Sequence, residues 1–162
     1  MEEIRFEEII KNFDNTIQIL FTVFKLLSEC SELKSRIERI EEKTYSLTKD
    51  SLLPSYGVDI KLDTFYRYCS YPHPRLIPVN EKIKRINVYG SRIEFETEGI
   101  SALELRYNLA EISLKRLIEL AYNIYRLGDV LISTLKKEKD ELSNILEIMI
   151  EIATKTEILT KE

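Results

Sequence analysis

The 162-residue chain contains no tryptophan, one histidine, two cysteines and four glycines, and each shortage excludes a class of site. A structural zinc ion needs about four ligands, drawn mostly from cysteine and histidine, so we predict no metal site. The glycine-rich loops that bind phosphate and the nucleophile elbow of hydrolases are both absent. We therefore expect no catalytic residues, no cofactor and no enzymatic activity.

The two cysteines, Cys30 and Cys69, lie far apart in the chain, which is typical of two cytosolic thiols rather than of a disulfide framework. The N-terminus is acidic where a secretory signal needs a basic start. The longest apolar stretch, Ile17–Leu27, includes polar residues and is too short to cross a bilayer. We expect a soluble, cytoplasmic, intracellular protein with no membrane partner. The abundance of Ile, Glu and Lys is typical of a thermophile, although a low-GC genome would explain it equally well.

Proline and glycine divide the chain into three segments. All four prolines and three of the four glycines lie between residues 50 and 99. The flanking segments, 1–49 and 100–162, contain no proline and show a helical apolar period. We predict a mainly α fold, either an antiparallel helical bundle or long coiled-coil-like helices, with a small β-hairpin insertion at 50–99.

Apolar residues in the first segment recur four and three residues apart, as in a heptad repeat. They are Phe6, Ile10, Phe13, Ile17, Leu20, Phe24 and Leu27. The pattern shifts phase at Cys30 and then continues through Ile37 to Leu47. This shift predicts either a stammer within one long helix or a turn between two helices.

The last segment opens on Ser101 and Glu104, whose spacing matches a capping box and predicts that a helix begins there. A heptad seam follows, from Leu103 and Tyr107 through Leu131, Leu135, Glu138, Leu142, Ile145 and Met149 to Ile152. Gly128 followed by Asp129 is typical of one helix ending and another beginning. The unchanged phase of the seam across Gly128 favours a continuous helix.

Both helical segments carry an apolar face wider than a two-stranded seam requires, at Ile17–Leu27 and at Ile118–Ile132. Leaving these side chains in water would cost about 25 cal/mol per Å² of apolar surface. Three or more helices in contact are needed to bury them. We therefore expect a homo-oligomer, with a dimer favoured.

The middle segment has the alternation of β-strands. Val58, Ile60 and Leu62 alternate with charged residues, and Gly90-Ser91 is a two-residue hairpin turn. The turn predicts that Val88 pairs with Ile93, Ile86 with Phe95, Asn87 with Glu94, and Arg85 with Glu96. This register places apolar against apolar and opposite charges against each other. The prolines between the strand and the hairpin predict an irregular loop.

Charge reverses locally within this insertion. Residues 61–92 contain seven basic and two acidic side chains, whereas the whole chain has a net charge of −4. Arginine and lysine neutralise phosphates, and aromatic rings stack on unpaired bases. The residues that we predict to contact a nucleic acid or an acidic protein are Arg67, Arg75, Lys82, Lys84, Arg85 and Arg92, with Tyr66 and Tyr68 available for stacking. The other interpretation is that the tyrosines form a small core and the bases pair with acidic helices.

Two family resemblances rest on short motifs. Arg67 and His73, with five residues between them, resemble the Arg-x(4–6)-His motif of HEPN ribonucleases, which implies a helical nuclease site. The neighbouring prolines argue against a helix at that position. The layout of coil, strands and coil, with Ile86–Gly90, Phe95–Glu98 and a capped helix, resembles prefoldin subunits and implies a chaperone with tentacle-like arms. The broad apolar faces differ from the mostly polar coils of that family.

The sequence thus favours a non-catalytic, oligomeric helical subunit that scaffolds or docks a protein partner through its β insertion. The first alternative is a nucleic-acid-binding accessory subunit of a ribonucleoprotein or of a DNA-processing complex. The second alternative is a prefoldin-like chaperone subunit.

Overall fold

Two long helices pack beside seven short strands in the computed structural model, which describes residues 2–42, 55–101 and 103–161. In chain order the elements are β1 (Ile4–Arg5), α1 (Phe6–Lys11), α2 (Phe13–Glu42), β2 (Ser55–Leu62), β3 (Phe65–Cys69), β4 (Arg75–Val79), β5 (Ile83–Tyr89), β6 (Arg92–Thr97), β7 (Arg106–Asn108) and α3 (Leu114–Lys161). The chain is 55% helix and 26% strand. The fold is therefore α/β, and the expectation of a mainly α fold with one small hairpin underestimates the β part.

The first helical segment forms a short helix, α1, and a long helix, α2, which are separated at Asn12. Helix α2 continues without a break through the phase shift between Leu27 and Cys30, so the stammer interpretation is correct and no turn interrupts the helix. The predicted seam positions Leu20, Leu27 and Cys30 are fully buried, whereas the seam position Ile10 is 64% exposed and Phe24 is half-buried beside the fully buried Val23. The predicted seam position Leu47 and the predicted segment boundary at 49/50 lie outside the described residues.

Contacts between α2 and α3 advance in the same direction along both helices. Phe13, at the start of α2, joins the same apolar cluster as Tyr122, near the start of α3. Further along both helices, Glu29 Oε2 lies 2.5 Å from Lys139 Nζ. The two helices are therefore parallel, and the antiparallel arrangement expected from the sequence is wrong.

Helix α3 begins at Leu114, not at the predicted capping box. The Ser101 hydroxyl accepts a hydrogen bond from the Leu103 amide at 3.0 Å and contacts Glu81 at 3.1 Å, which stabilises a local turn instead. Tyr107, placed in a helical seam by the sequence pattern, lies in β7 and is buried. Pairing of β7 with β6 takes this segment away from the helix.

Gly128 interrupts the regular backbone of α3. Its φ of 55° and ψ of −143° are not helical, although helical structure resumes directly after it. A positive φ of this kind strains residues other than glycine. Element α3 therefore consists of two helices that meet at a kink at Gly128, as the Gly128-Asp129 signal indicates, and the continuous helix favoured by the unchanged seam is wrong.

The four-stranded antiparallel sheet has the strand order β2-β5-β6-β7. Val88 pairs with Ile93, Ile86 with Phe95, Asn87 with Glu94, and Arg85 with Glu96. All four predicted pairs of the hairpin are confirmed. The predicted strand at 58–62 is also present within β2, which pairs with β5.

The three-stranded antiparallel sheet has the order β1-β4-β3 and occupies the region predicted as an irregular loop. Pro78 lies inside β4, opposite Tyr66 of β3. The backbone N–H and C=O of Tyr66 bond to a helix side chain on the other side of β3, so this pair exchanges no ladder bonds. The missing N–H of Pro78 therefore costs nothing here.

The main core lies where the four-stranded sheet meets the first two thirds of α2 and the matching part of α3. Its fully buried members include Leu20, Leu27, Ile86, Ile93 and Ile124. A smaller cluster joins the N-terminal strand to the three-stranded sheet and the start of α3. The last third of each helix extends beyond the sheets, because α2 and α3 are longer than the strands that cover them.

Candidate partner-binding surface

Two polar side chains of α3 bond to the free edge of strand β3. Asn123 Oδ1 accepts a hydrogen bond from the Tyr66 amide at 2.9 Å, and its Nδ2 donates to the Tyr66 carbonyl at 2.8 Å. One helical turn earlier, Glu119 Oε1 accepts from the Tyr68 amide at 2.7 Å. Glu119 and Asn123 are both about fully buried. Their side chains bond to the backbone N–H and C=O groups at the edge of β3, as a neighbouring strand would. This leaves fewer unpaired edge groups that could pair with another chain.

Glu119 also contacts two arginines and a tyrosine hydroxyl. Arg116 Nη1 lies 2.9 Å from Glu119 Oε2, and Arg67 Nε lies 3.7 Å from Oε1. The Tyr107 hydroxyl donates to Oε2. Burial, and secondly the negative charge of Glu119, raise the pKa of Tyr107 well above its ordinary value. This phenol is therefore a permanent donor to the carboxylate.

Of the two tyrosines predicted to stack on bases, Tyr66 is buried and Tyr68 is half-buried. Tyr66 is 5% exposed, with Tyr122 at its edge and the Arg126 guanidinium 4.7 Å from its ring centroid. Tyr68 is half-buried between Phe6 and Lys115. Neither ring is presented to a ligand in this structure, which agrees with the interpretation that these aromatics form a local core.

Arg75 and His73 face the N-terminus of the chain. Glu3 Oε2 lies 2.7 Å from Arg75 Nε, and Glu3 Oε1 lies 3.4 Å from His73 Nε2. Arg67, the other half of the HEPN-like motif, is bound to Glu119 on a different element. Arg67 lies in β3 and His73 in the segment after it, so the two residues of the motif do not share a helix face. Each contacts a different carboxylate, Glu119 for Arg67 and Glu3 for His73.

Arg85 lies flat on the outer face of the four-stranded sheet. Its Nη1 bonds Asp59 at 2.7 Å, its Nη2 bonds the Gly57 carbonyl at 3.0 Å, and its Nε bonds Asn87 Oδ1 at 3.1 Å. Asn87 in turn donates to Glu96 at 2.8 Å. A Cβ on Gly57 would lie 2.5 Å from Arg85 Nε, so the glycine makes room for this network. All three guanidinium nitrogens of Arg85 are engaged within the protein.

Arg92 is held in a similar way at the hairpin end of the sheet. Its Nε lies 3.5 Å from Glu94 Oε1, which also contacts Arg106 Nε at 3.3 Å. The Arg92 guanidinium lies 5.7 Å from the Tyr89 ring centroid. With half of its side chain still in solvent, Arg92 adds positive charge to the sheet face without being free of a partner.

Lys82 and Lys84 are the two predicted basic residues whose ammonium groups are not paired with a carboxylate of the described residues. Both are exposed, and neither forms an ion pair or a side-chain hydrogen bond with any residue that the structure describes. Lys84 borders an open groove of about 560 Å³ between β6 and the segment leading to β7. The other lining residues include Glu96, Ser101, Leu103 and Arg106. Of the predicted basic surface, the part with unpaired charge is therefore the corner of the four-stranded sheet around Lys82 and Lys84.

Sequence reasoning missed Glu119 and Asn123, which organise the three-stranded sheet. The available signal was a glutamate and an asparagine four residues apart within the apolar run Ile118–Ile132. Polar residues at helical spacing on an apolar face have to find buried partners. Those partners could not be named without the strand β3.

A second polar cluster interrupts the seam between α2 and α3. Burial, and then the charges of Glu138 and Glu29, raise the pKa of Cys30 to about 11. The thiol therefore stays protonated and unreactive at neutral pH. Hydrogen bonding to Glu29 raises the pKa of Lys139. Burial, and secondly Glu141, raise the pKa of Glu138 from its ordinary value of 4.5.

Replacing Glu138 with leucine is expected to stabilise the fold by about 1 kcal/mol at neutral pH, because a half-buried charge is exchanged for apolar contact. The raised pKa means that the folded protein binds more protons than the unfolded chain as pH rises above 4.5. Wild-type stability should therefore fall with rising pH through that window, and Glu138→Gln should flatten this dependence. Thermal unfolding as a function of pH measures both effects. The exposed Glu147→Gln serves as the control, and an equal change in that variant would contradict the assignment to Glu138.

The last third of α3 exposes an apolar stripe. Ile145, Ile148 and Ile152 lie three and four residues apart, hence on one helix face, and are 46%, 57% and 56% exposed. The seam facing α2 uses Leu146 instead, which is 5% exposed. The predicted seam positions Ile145 and Ile152 therefore lie beside the contact with α2, not within it.

No helix within the described ranges combines the length and apolarity that a bilayer crossing requires. The same residues contain no group of three or more side chains suited to hold a metal ion. No family model, curated protein or solved structure matches the chain.

Proposed function

We propose that the protein is a non-catalytic subunit that self-associates through its helices and docks an acidic protein partner on its four-stranded sheet. The exposed stripe Ile145, Ile148 and Ile152 carries the self-association. Three half-exposed isoleucines on one face are a surface that a soluble monomer rarely retains. Light scattering that shows a monomer even at concentrations well above the micromolar range would reject this part of the proposal.

The use of the buried polar groups supports a non-catalytic role. The polar atoms of Glu119 and Asn123 form hydrogen bonds to strand β3, and the Tyr107 hydroxyl donates to Glu119. The thiol of Cys30 is buried and contacts a backbone carbonyl. Groups that perturb each other's pKa at an active site normally face a cleft, whereas these face the interior.

The partner surface is the corner of the four-stranded sheet around Lys84. Lys82 and Lys84 form no ion pair or side-chain hydrogen bond with any residue that the structure describes. In the adjoining groove Lys84 and Arg106 lie beside Glu94, Glu96 and Glu104, so the basic contact to an acidic segment comes from the lysine corner of the sheet and not from the groove as a whole. An acidic protein is favoured over a nucleic acid, because the Tyr66 ring is buried, the Tyr68 ring is half-buried, and each guanidinium nitrogen of Arg85 already makes a hydrogen bond within the protein. Charge complementarity of this kind mainly sets specificity and association rate.

Charge reversal of both lysines, Lys82→Glu with Lys84→Glu, is expected to weaken partner binding at least 10-fold, since each change replaces an attraction with a repulsion, about 1.4 kcal/mol per tenfold. The control is Lys11→Glu with Lys136→Glu, which alters the net charge equally on distant exposed positions. The partner is identified by cross-linking and mass spectrometry, and its affinity for the three proteins is then measured by calorimetry.

Fluorescence anisotropy with single-stranded RNA and DNA tests the nucleic-acid alternative in parallel. Binding that weakens steeply with salt and is lost in the Lys82/Lys84 variant would replace the protein partner with a nucleic acid. Equal loss of partner binding in the Lys11/Lys136 control would refute the assignment of the surface. Oligomer size should be the same in all three proteins.

A further inference from the structure

We propose that two copies of the chain form a two-fold symmetric dimer in which the last thirds of their α3 helices pack antiparallel, centred on Ile148. This inference rests on the proposed self-association and specifies its surface and its geometry. The occupant of the exposed stripe is a second copy of the same stripe. The pairing is isologous, so each contact between two positions occurs twice.

The apolar positions are arranged about Ile148. Ile145 precedes it by three residues and Ile152 follows it by four, and all three side chains are about half exposed. An antiparallel pairing with its axis at Ile148 places Ile145 of one copy opposite residue 151 of the other, one position from Ile152, so that Ile145 and Ile152 are neighbours across the contact. The stripe lies beside the seam that contains the buried Leu146, so the second copy can pack there without displacing α2.

The flanking charges select the antiparallel direction. Glu141 and Lys155 each lie seven residues from Ile148, on opposite sides and close to the same helix face. Antiparallel pairing sets Glu141 of one copy against Lys155 of the other, twice in the dimer. Parallel pairing would instead set Glu141 against Glu141 and Lys155 against Lys155. Lys155 already contacts Glu151 of its own helix at 3.1 Å, which keeps its ammonium group at this surface.

The expected contact is small. A standard protein interface buries about 800 Å² per partner, which is more than three isoleucines and their neighbours provide. We therefore expect association in the micromolar range and a dimer that dissociates on dilution.

Sedimentation equilibrium of the full-length protein across the micromolar range tests the proposal. Ile148→Glu is expected to weaken dimerisation about 100-fold, because it places two like charges at the centre of the contact. Val130→Glu is the control, since Val130 is 77% exposed on the same helix but lies outside the stripe. Circular dichroism establishes that both variants keep the wild-type helix content, as expected for exposed positions.

The outcomes distinguish self-association itself from the stripe as its contact surface. A wild-type protein that remains monomeric would overturn the self-association in the proposed function, and this dimer with it. A wild-type oligomer that Ile148→Glu leaves intact would overturn only the stripe as its contact surface. Equal loss in Val130→Glu would likewise overturn the assignment to the stripe.

Charge exchange tests the direction of pairing. Glu141→Lys alone and Lys155→Glu alone should each weaken the dimer about 5-fold, and the double variant should recover most of the wild-type affinity. In a parallel dimer each single change only exchanges one like-charge pair for another, so little change would be seen. Single variants without effect, or a double variant no better than the singles, would overturn the antiparallel arrangement.

Discussion

Replacing Glu119 with alanine is expected to lower the free energy of unfolding by about 3 to 5 kcal/mol, the range found when one partner of a buried charged pair is removed. The carboxylate accepts from the Tyr68 amide and the Tyr107 hydroxyl, and it lies within 4 Å of Arg67 and Arg116. Alanine leaves these donors facing an empty buried site. Since a domain of this size is stable by only about 5 to 15 kcal/mol, the loss is a large fraction of the total.

Chemical denaturation followed by circular dichroism measures the effect. Glu119→Gln retains an acceptor oxygen for Tyr68 but loses the charge that holds Arg67 and Arg116, so it should fall between wild type and alanine. Glu111→Ala, an exposed glutamate just before α3, should change stability by less than about 0.5 kcal/mol. If Glu119→Ala were as mild as this control, the carboxylate would not be the element that holds strand β3 to α3.

The hairpin and helix α2 could be predicted from the sequence because each rests on local periodicity. Gly90-Ser91 fixes the turn, and the alternation on either side fixes the register. Helix α2 lacks glycine and proline, so its apolar period predicts helix on both sides of the phase shift at Cys30, although the sequence left open whether a turn lies there. Local rules suffice when the partner of each residue lies close in sequence.

The helix directions could not be predicted, because an apolar seam is the same whether its partner runs parallel or antiparallel. The position of the seam beyond Leu142 was ambiguous for a related reason. Ile145 and Leu146 are adjacent and both apolar, so the period alone does not choose between them. The structure buries Leu146 and leaves Ile145 exposed. The sequence pattern therefore did not predict the exposed stripe.

The candidate site was predicted by composition but not by geometry. The basic residues of the insertion stay a predicted contact surface, and the carboxylates that bind three of its arginines come from distant parts of the chain. Glu3, Asp59 and Glu119 engage Arg75, Arg85 and Arg67 respectively. No local pattern links these pairs. Of the six predicted basic contact residues, only Lys82 and Lys84 form no ion pair or side-chain hydrogen bond with a described residue.

Gly57→Ala is expected to lower the free energy of unfolding by about 2 kcal/mol, through one added methyl group on the outer face of the four-stranded sheet. The new Cβ would lie 2.5 Å from Arg85 Nε and would collide with Asn87 Oδ1. The ends of both side chains would have to move away from the new methyl group, which weakens the bonds of Arg85 to Asp59 and to the Gly57 carbonyl. Asn87 is 6% exposed, so its amide would be left without good partners in a poorly hydrated position.

Gly99→Ala is the matched control, because a Cβ there meets nothing within 4 Å. It should be neutral or should stabilise by up to about 1 kcal/mol, since alanine restricts the unfolded chain. Adding Asn87→Ala to Gly57→Ala removes the nearest obstructing atom, and the pair should then cost less than the sum of the two single changes. Strict additivity in this cycle, measured by urea unfolding, would show that the glycine is not required by the network around Arg85. A favourable coupling would instead show that the close approach of Arg85 and Asn87 to the backbone is what selects glycine at this position of β2.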